Sequence, residues 1–191
     1  MPEYDPAQTL REARERYFAA AGLGSGGYDQ KWVPLAMGPL RFAIPNTAGR
    51  VRAVRYHDLH HVVTGYDTDW TGEGEIGAWE VASGCRDLLA AWILNLYAMQ
   101  LALWFAPSAV WRAFVRGRHS RNLYAEPWSE SLLDESVGAM RRRLGLASEP
   151  PAASPADCIV FVSWTSVALA LAFATGAPLW LLVFAIGSWL A

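Results

Sequence analysis

Hydrophobic and polar positions divide the chain into a series of helical stretches separated by turn-forming residues. Asp5-Pro6 with Gln8 reads as a cap, a first-turn proline and a capping partner, and Leu10, Tyr17, Phe18 and Ala21 then fall on one face of a helix that stops at Gly22. Residues 22–46 are rich in Gly and Pro, with Pro34, Pro39 and Pro45 too close for a long helix, so short extended pieces such as Leu40 to Ile44 are expected. Asn46-Thr47 caps a second helix to about Thr64, closed by Gly65. A polar loop, Tyr66 to Gly72, leads to a third helix from Glu73 to Ala82 that ends before Gly84. Leu88 to Phe105 is an apolar helix in which Asn95 and Gln100 are the strongly polar members, stopped at Pro107. A basic patch follows, Arg112, Arg116, Arg118 and Arg121, and then an amphipathic helix from Ser131 to Leu144 with Arg141, Arg142 and Arg143 in its last turn, where they suit the helix dipole.

Beyond Ser148 the pattern changes. Residues 148–156 have linker composition, and Cys158 to Thr175 runs 18 residues without a charge before Gly176-Ala177-Pro178 and a second apolar stretch, Leu179 to Ala191. Three parts are therefore expected: a compact all-α domain over 1–147, a linker over 148–156, and a hydrophobic segment over 157–191 that forms a membrane helix or a helical hairpin.

Composition supports lipid contact. Of 191 residues, 53% are hydrophobic and 18% charged, the first above and the second below ordinary soluble usage. A formal net charge of −2 leaves no basic excess to neutralise phosphates, so no nucleic-acid partner is expected. Cys85 and Cys158 lie too far apart in sequence for a disulfide framework or a cysteine zinc site. Residues 1–21 carry acids and no apolar core segment, which does not read as a signal peptide, and Arg141 to Arg143 precede the apolar segment. Both point to a cytoplasmic face. Arg, Ala and Trp usage, with Lys31 the one lysine, associates with a bacterial source.

Candidate chemistry concentrates in His57-Asp58-Leu59-His60-His61. On a helix, residues at i and i+4 differ by about 40° around the axis, so His57 and His61 project from one face and can offer two imidazoles to one metal. Asp58 lies roughly 100° away and joins only if the helix edge turns toward the ion. Glu73, opening the next helix, is placed to fold back as a further ligand. Two nitrogens and two carboxylates suit Zn2+, Fe2+ or Mn2+, with zinc favoured by intrinsic affinity. The competing reading is that His57 and His61 are ordinary histidines satisfied by nearby acids. His60 points away from their face and reads as a packed or surface histidine, or as a hydrogen-bonding partner behind the site. Glu80, two turns below Glu73 on the same face, orients a ligand, lines the pocket or is an ordinary helix-surface glutamate. The sequence singles out no general acid beyond the ligand set; Asp67, Asp69 and Glu75 read as solvated loop or helix-end acids.

His-Asp-x-x-His, eleven residues and Glu, spanning His57 to Glu73, resembles the signature of the coenzyme Q biosynthesis protein 4 family. Gly65, Thr68, Gly72 and Trp79-Glu80 fit the same pattern, as do Gly117-Arg118, Asn122-Leu123-Tyr124 and Arg142-Arg143-Leu144-Gly145. The resemblance covers about residues 35–146; the segment from Cys158 to Ala191 departs from it. It implies that His57, Asp58, His61 and Glu73 ligate zinc. It also implies that the protein acts on C1 of a polyprenylated benzoate in ubiquinone synthesis, removing the carboxyl group, coupled in some accounts to hydroxylation. A prenylated lipid substrate, the membrane, other quinone-biosynthesis proteins and a homodimer are the partners expected. Leu88 to Phe105, with Trp92, Tyr97, Trp104 and Phe105, would line a path for the prenyl tail, or else form core or dimer contacts. The arginines from 112 to 121 would meet anionic headgroups or water. A non-catalytic organiser that binds prenyl lipid around a structural metal is the alternative.

Overall fold

Thr9, not Asp5, opens the first helix. Its hydroxyl accepts the Glu12 amide while the Glu12 carboxylate accepts the Thr9 amide, a reciprocal box that satisfies two otherwise orphaned donors. Asp5 instead accepts the Ala7 amide in the preceding turn. The computed structural model describes residues 4–37, 40–146 and 151–190, and among these the fold is mostly helical. Helix α1 covers Leu10–Ala21 and ends, as its sequence requires, at Gly22 in the left-handed region. The Gly/Pro-rich stretch holds a small antiparallel ribbon, β1 (Trp32–Met37) and β2 (Leu40–Pro45), paired from Trp32 opposite Pro45 to Met37 opposite Leu40. Prolines that forbid a helix are tolerated in so short a two-stranded edge.

Helix α2 (Ala48–Thr64) has the expected boundaries, with Thr47 accepting the Arg50 amide at one end and Gly65 at φ 79° at the other. Its last carbonyls are held from outside: Arg116 donates to Thr64 O, and Arg141 donates to Val63 O and Val62 O. Helix α3 (Trp70–Ser83) begins three residues before Glu73, because Asp69 accepts the Gly72 amide and caps it.

Helix α3 is wedged between α4 (Leu89–Ala102) and α5 (Pro107–Arg118). Glycines make that approach close: a Cβ on Gly74 would lie 2.0 Å from Ala102 Cβ, and one on Gly117 would lie 2.4 Å from the Trp79 carbonyl oxygen. The basic patch is therefore a helix. Val110, Ala113, Phe114 and Gly117 recur at helical spacing and are buried, while the arginines face outward or cap neighbours. The stretch expected as one helix from Ser131 to Leu144 divides into a 3-10 turn, Glu130–Asp134, and helix α6 (Val137–Leu144), because Ser136 accepts the Ala139 amide and starts a new helix there.

Helix α7 runs unbroken from Pro155 to Leu190 through Gly176-Ala177-Pro178, so the apolar segment is one helix and not a hairpin. Its stretch Pro155–Gly176 is long and apolar enough to cross a membrane. The same stretch docks on the domain, with Trp164 stacked on Trp92 at 4.7 Å and Phe161 edge-on to Trp111 and Phe114. Asp157, in the first turn, pairs with Arg118 and His119 at the end of α5. Linker residues 148–150 lie outside the described residues.

The α3–α5 contact gives a first test. Gly117→Val should lower stability by about 1–3 kcal/mol, as over-packing does at a site with no room, and thermal unfolding should show a Tm lower by several degrees. Gly49→Ala, in α2 with open space around it, should leave the Tm unchanged or raise it.

Candidate metal centre

The last three turns of α2 carry His57 and His61 on one face, and α3 brings Glu73 to it. His57 Nε2 and His61 Nε2 stand 3.2 Å apart, and each lies 3.6 Å from a different oxygen of Glu73. Ligand atoms about 2.0–2.1 Å from a tetrahedral zinc sit about 3.3 Å from one another, so the three donors already have the mutual spacing of one ion's shell. The same three residues form the group whose ligand atoms all lie within 4.8 Å of one another. His61 is fully buried, whereas Glu73 is 38% exposed, so the cluster opens on the Glu73 side.

The far side of each ring decides what the near side can do. His61 Nδ1 contacts the Tyr66 carbonyl at 3.1 Å, and a carbonyl can only accept, so Nδ1 carries the hydrogen and Nε2 presents a lone pair. His57 Nδ1 donates likewise to Glu80 Oε1 at 2.9 Å. Two ring nitrogens and a carboxylate thus converge with no hydrogen of their own between them. A cation or an added proton can stand there. Burial pushes His57 down, but Glu80 and Glu73 outweigh it and hold its imidazole well above the ordinary range. Burial and the charge on His57 push His61 down to about 4. Glu73, which burial alone would raise, is held below its usual value by His57 and His61.

Glu80 is the centre of the second layer. It is fully buried, and its carboxylate accepts from His57 Nδ1, His60 Nδ1 at 2.7 Å, the Tyr124 hydroxyl at 2.5 Å and the Asn95 amide. His60 Nε2 accepts the Leu123 amide at 3.0 Å, so His60 is neutral with its hydrogen on Nδ1. Its ring packs edge-on against Trp79 and Tyr124. Burial would raise the Glu80 carboxyl, yet the histidines and their hydrogen bonds keep it far below the usual range. A carboxylate behind a ligating histidine fixes tautomer and ring orientation. Of the roles open to Glu80 in the sequence, burial removes the helix-surface one, and the bond to His57 Nδ1 holds that ring in place.

No family model, no curated protein and no solved structure matches the chain. The site stands on its own geometry.

Asp58 is buried, and its Oδ2 accepts the Tyr28 hydroxyl at 2.5 Å, outside the three-residue group. Burial raises its carboxyl to about 6 in spite of that bond and the charge on His57. Tyr28 arrives from the glycine-rich loop, and Tyr17 of α1 stacks on the His61 ring at 5.4 Å. Neither tyrosine was visible as a site residue in the sequence, where both sit among ordinary aromatic and turn positions. Asn95 and Tyr124 were hidden for a related reason, being 15 and 44 residues from Glu80. Asp69 is used as the α3 cap.

Two measurements follow. Glu80→Gln should weaken zinc binding about ten- to a hundredfold, as loss of a carboxylate behind a ligating histidine does; unchanged affinity would remove Glu80 from the site. At pH 7, binding of one zinc ion should release close to one proton, because His57 is charged before binding and must be neutral to ligate. Calorimetric titration in two buffers of different ionisation enthalpy reads that proton directly.

Proposed function

We propose that the chain is a membrane-associated, metal-dependent carbon–carbon lyase of isoprenoid-quinone synthesis, removing the C1 carboxyl group of a polyprenylated benzoate. The observation that carries the metal part is the spacing of His57, His61 and Glu73, with both histidines anchored at Nδ1. Three protein ligands leave a coordination position for substrate, the pattern of catalytic sites. The substrate class comes from the resemblance in residues 35–146, and an apolar helix fit to cross a membrane suits a prenyl tail. A divalent ion held there, zinc, ferrous iron or manganese, supplies Lewis-acid stabilisation of the charge that develops as carbon dioxide leaves.

The chain's own residues set the conditions for that chemistry. Glu80 keeps His57 Nε2 free of hydrogen when a metal ligates it. Tyr17 covers His61 and excludes water from that side. Asp58, raised to about 6, is the acid beside the triad that can hold or release a proton near neutrality, with Tyr28 hydrogen-bonded to its Oδ2. Asp58 also separates this reading from the alternative. As a fourth ligand, which the resemblance implies, it would close a tetrahedral site and favour a structural metal in a lipid-binding organiser. Bonded to Tyr28, it favours the open site.

The test is elemental analysis of detergent-purified protein alongside carbon dioxide release from a carboxyl-labelled prenylated hydroxybenzoate. Near one equivalent of metal is expected in the parent and in Asp58→Asn, and close to none in His61→Ala and Glu73→Ala. Turnover in the parent, abolished by chelation, supports the lyase. A folded parent that takes up no metal overturns the site, and a loaded parent that binds the lipid without turnover makes the organiser the better reading.

A further inference from the structure

Helices α4 and α7 run side by side in the same direction. Trp92 stacks on Trp164, and further along both helices the Tyr97 hydroxyl bonds Thr175. The inner side of α4 is committed to α3, with Asn95 reaching Glu80 and Ala102 against Gly74. Its outer side carries Leu89, Ile93, Leu94 and Leu101, followed just past its end by Trp104 and Phe105, all between 37% and 79% exposed. Positions 89, 93 and 101 stand four and eight residues apart and lie along one side of the helix, with Tyr97 between them turned to Thr175 of α7. The free side of α7 continues it with Ile159, Val162 and Phe173.

Charge is distributed to match. No Asp, Glu, Lys or Arg occurs between Leu88 and Trp111, or after Asp157. The ionic groups gather where the two helices begin: Asp87 before α4, and Asp157 with Arg118 and His119 at the start of α7. A two-helix apolar face of this extent, with a charged margin at one end only, is not a water surface. Hydrocarbon that meets the free side of α7 also meets the outer side of α4, because the two helices touch along this length.

We propose that the outer face of α4 is a lipid-facing surface set in the bilayer beside α7, deepest at Trp104 and Phe105 and reaching water at the Asp87–Asp157 margin. The inference rests on the membrane association proposed above. In this arrangement α4 is a wall one helix thick. Lipid lies on its outer side, and α3 lies on its inner side, where Gly74 touches Ala102 next to the ligand Glu73. The metal triad is then about one helix diameter, roughly 10 Å, from hydrocarbon.

The test uses the full chain with Cys158→Ser, since Cys85 is buried, and one added cysteine at a time for an environment-sensitive fluorophore. The positions are Trp104→Cys, Leu89→Cys, Phe173→Cys and, on exposed α1 surface, Ala20→Cys. Each is reconstituted into phosphatidylethanolamine–phosphatidylglycerol vesicles with spin-labelled acyl chains. Labels at 173 and 104 should lose most of their emission, the label at 89 less, and the label at 20 almost none. If 173 is quenched but 104 behaves like 20, α7 enters the membrane and α4 does not, which overturns the proposal; cross-linking through position 104 would then identify a second copy of the chain as its cover. If 173 is also unquenched, the membrane reading itself fails and the proposal with it.

Discussion

Glu80 holds a full negative charge where no water reaches, and the surrounding structure is arranged to allow it. Moving an isolated carboxylate into such a place costs several kcal/mol. Here α2 supplies two imidazole N–H groups, α4 an amide and the turn after α5 a phenol, so every direction of approach is taken by a donor. The charge therefore fixes four elements relative to one another. It also sets which nitrogen of His57 carries hydrogen, and so leaves Nε2 of that ring directed at His61 and Glu73. His60 shares the load from outside the His57, His61 and Glu73 group. Its second nitrogen is tied to the Leu123 amide, which locks the turn carrying Tyr124.

The parts of this arrangement that follow local rules could be read from the chain. Thr47 and Gly65 bound α2 through capping and left-handed geometry, and the i, i+4 spacing places His57 and His61 on one face. Glu73 was expected to fold back onto them, and it does. The rest depends on contacts between distant segments. Glu80 looks like any helix glutamate until Asn95 and Tyr124 are brought to it. Helix α5 was obscured because its arginines dominate its composition, although its small and apolar positions keep helical spacing. The long amphipathic stretch before Gly145 carried a hidden start at Ser136, a capping residue that competes with helix continuation. Gly176-Ala177-Pro178 has the opposite lesson. Turn-forming residues do not break α7, and in an apolar helix such residues are tolerated more readily than in a soluble one.

The residues that carry the family resemblance gain a physical role in the structure. Trp79 packs on His60, Glu80 orients His57, and Leu123 and Tyr124 close the same network. Gly117 lets α5 approach the Trp79 carbonyl. Glu80 and Tyr124 lie 44 residues apart in sequence yet meet in one hydrogen bond.

The clamps on the end of α2 bear on how the protein is made. The carbonyls of Val62, Val63 and Thr64 are satisfied by Arg141 and Arg116, residues 78–79 and 52 positions later in the chain. A ribosome delivers both histidines long before it delivers either arginine. Until then the carbonyls of Val62, Val63 and Thr64 have only water to bond, although Gly65 already caps the helix. Closing such long loops is the slow part of folding. The rigid end of α2 is therefore a late product of synthesis, completed when α5 and α6 arrive, whereas the anchors of the two imidazoles, Tyr66 and Glu80, emerge well before either arginine.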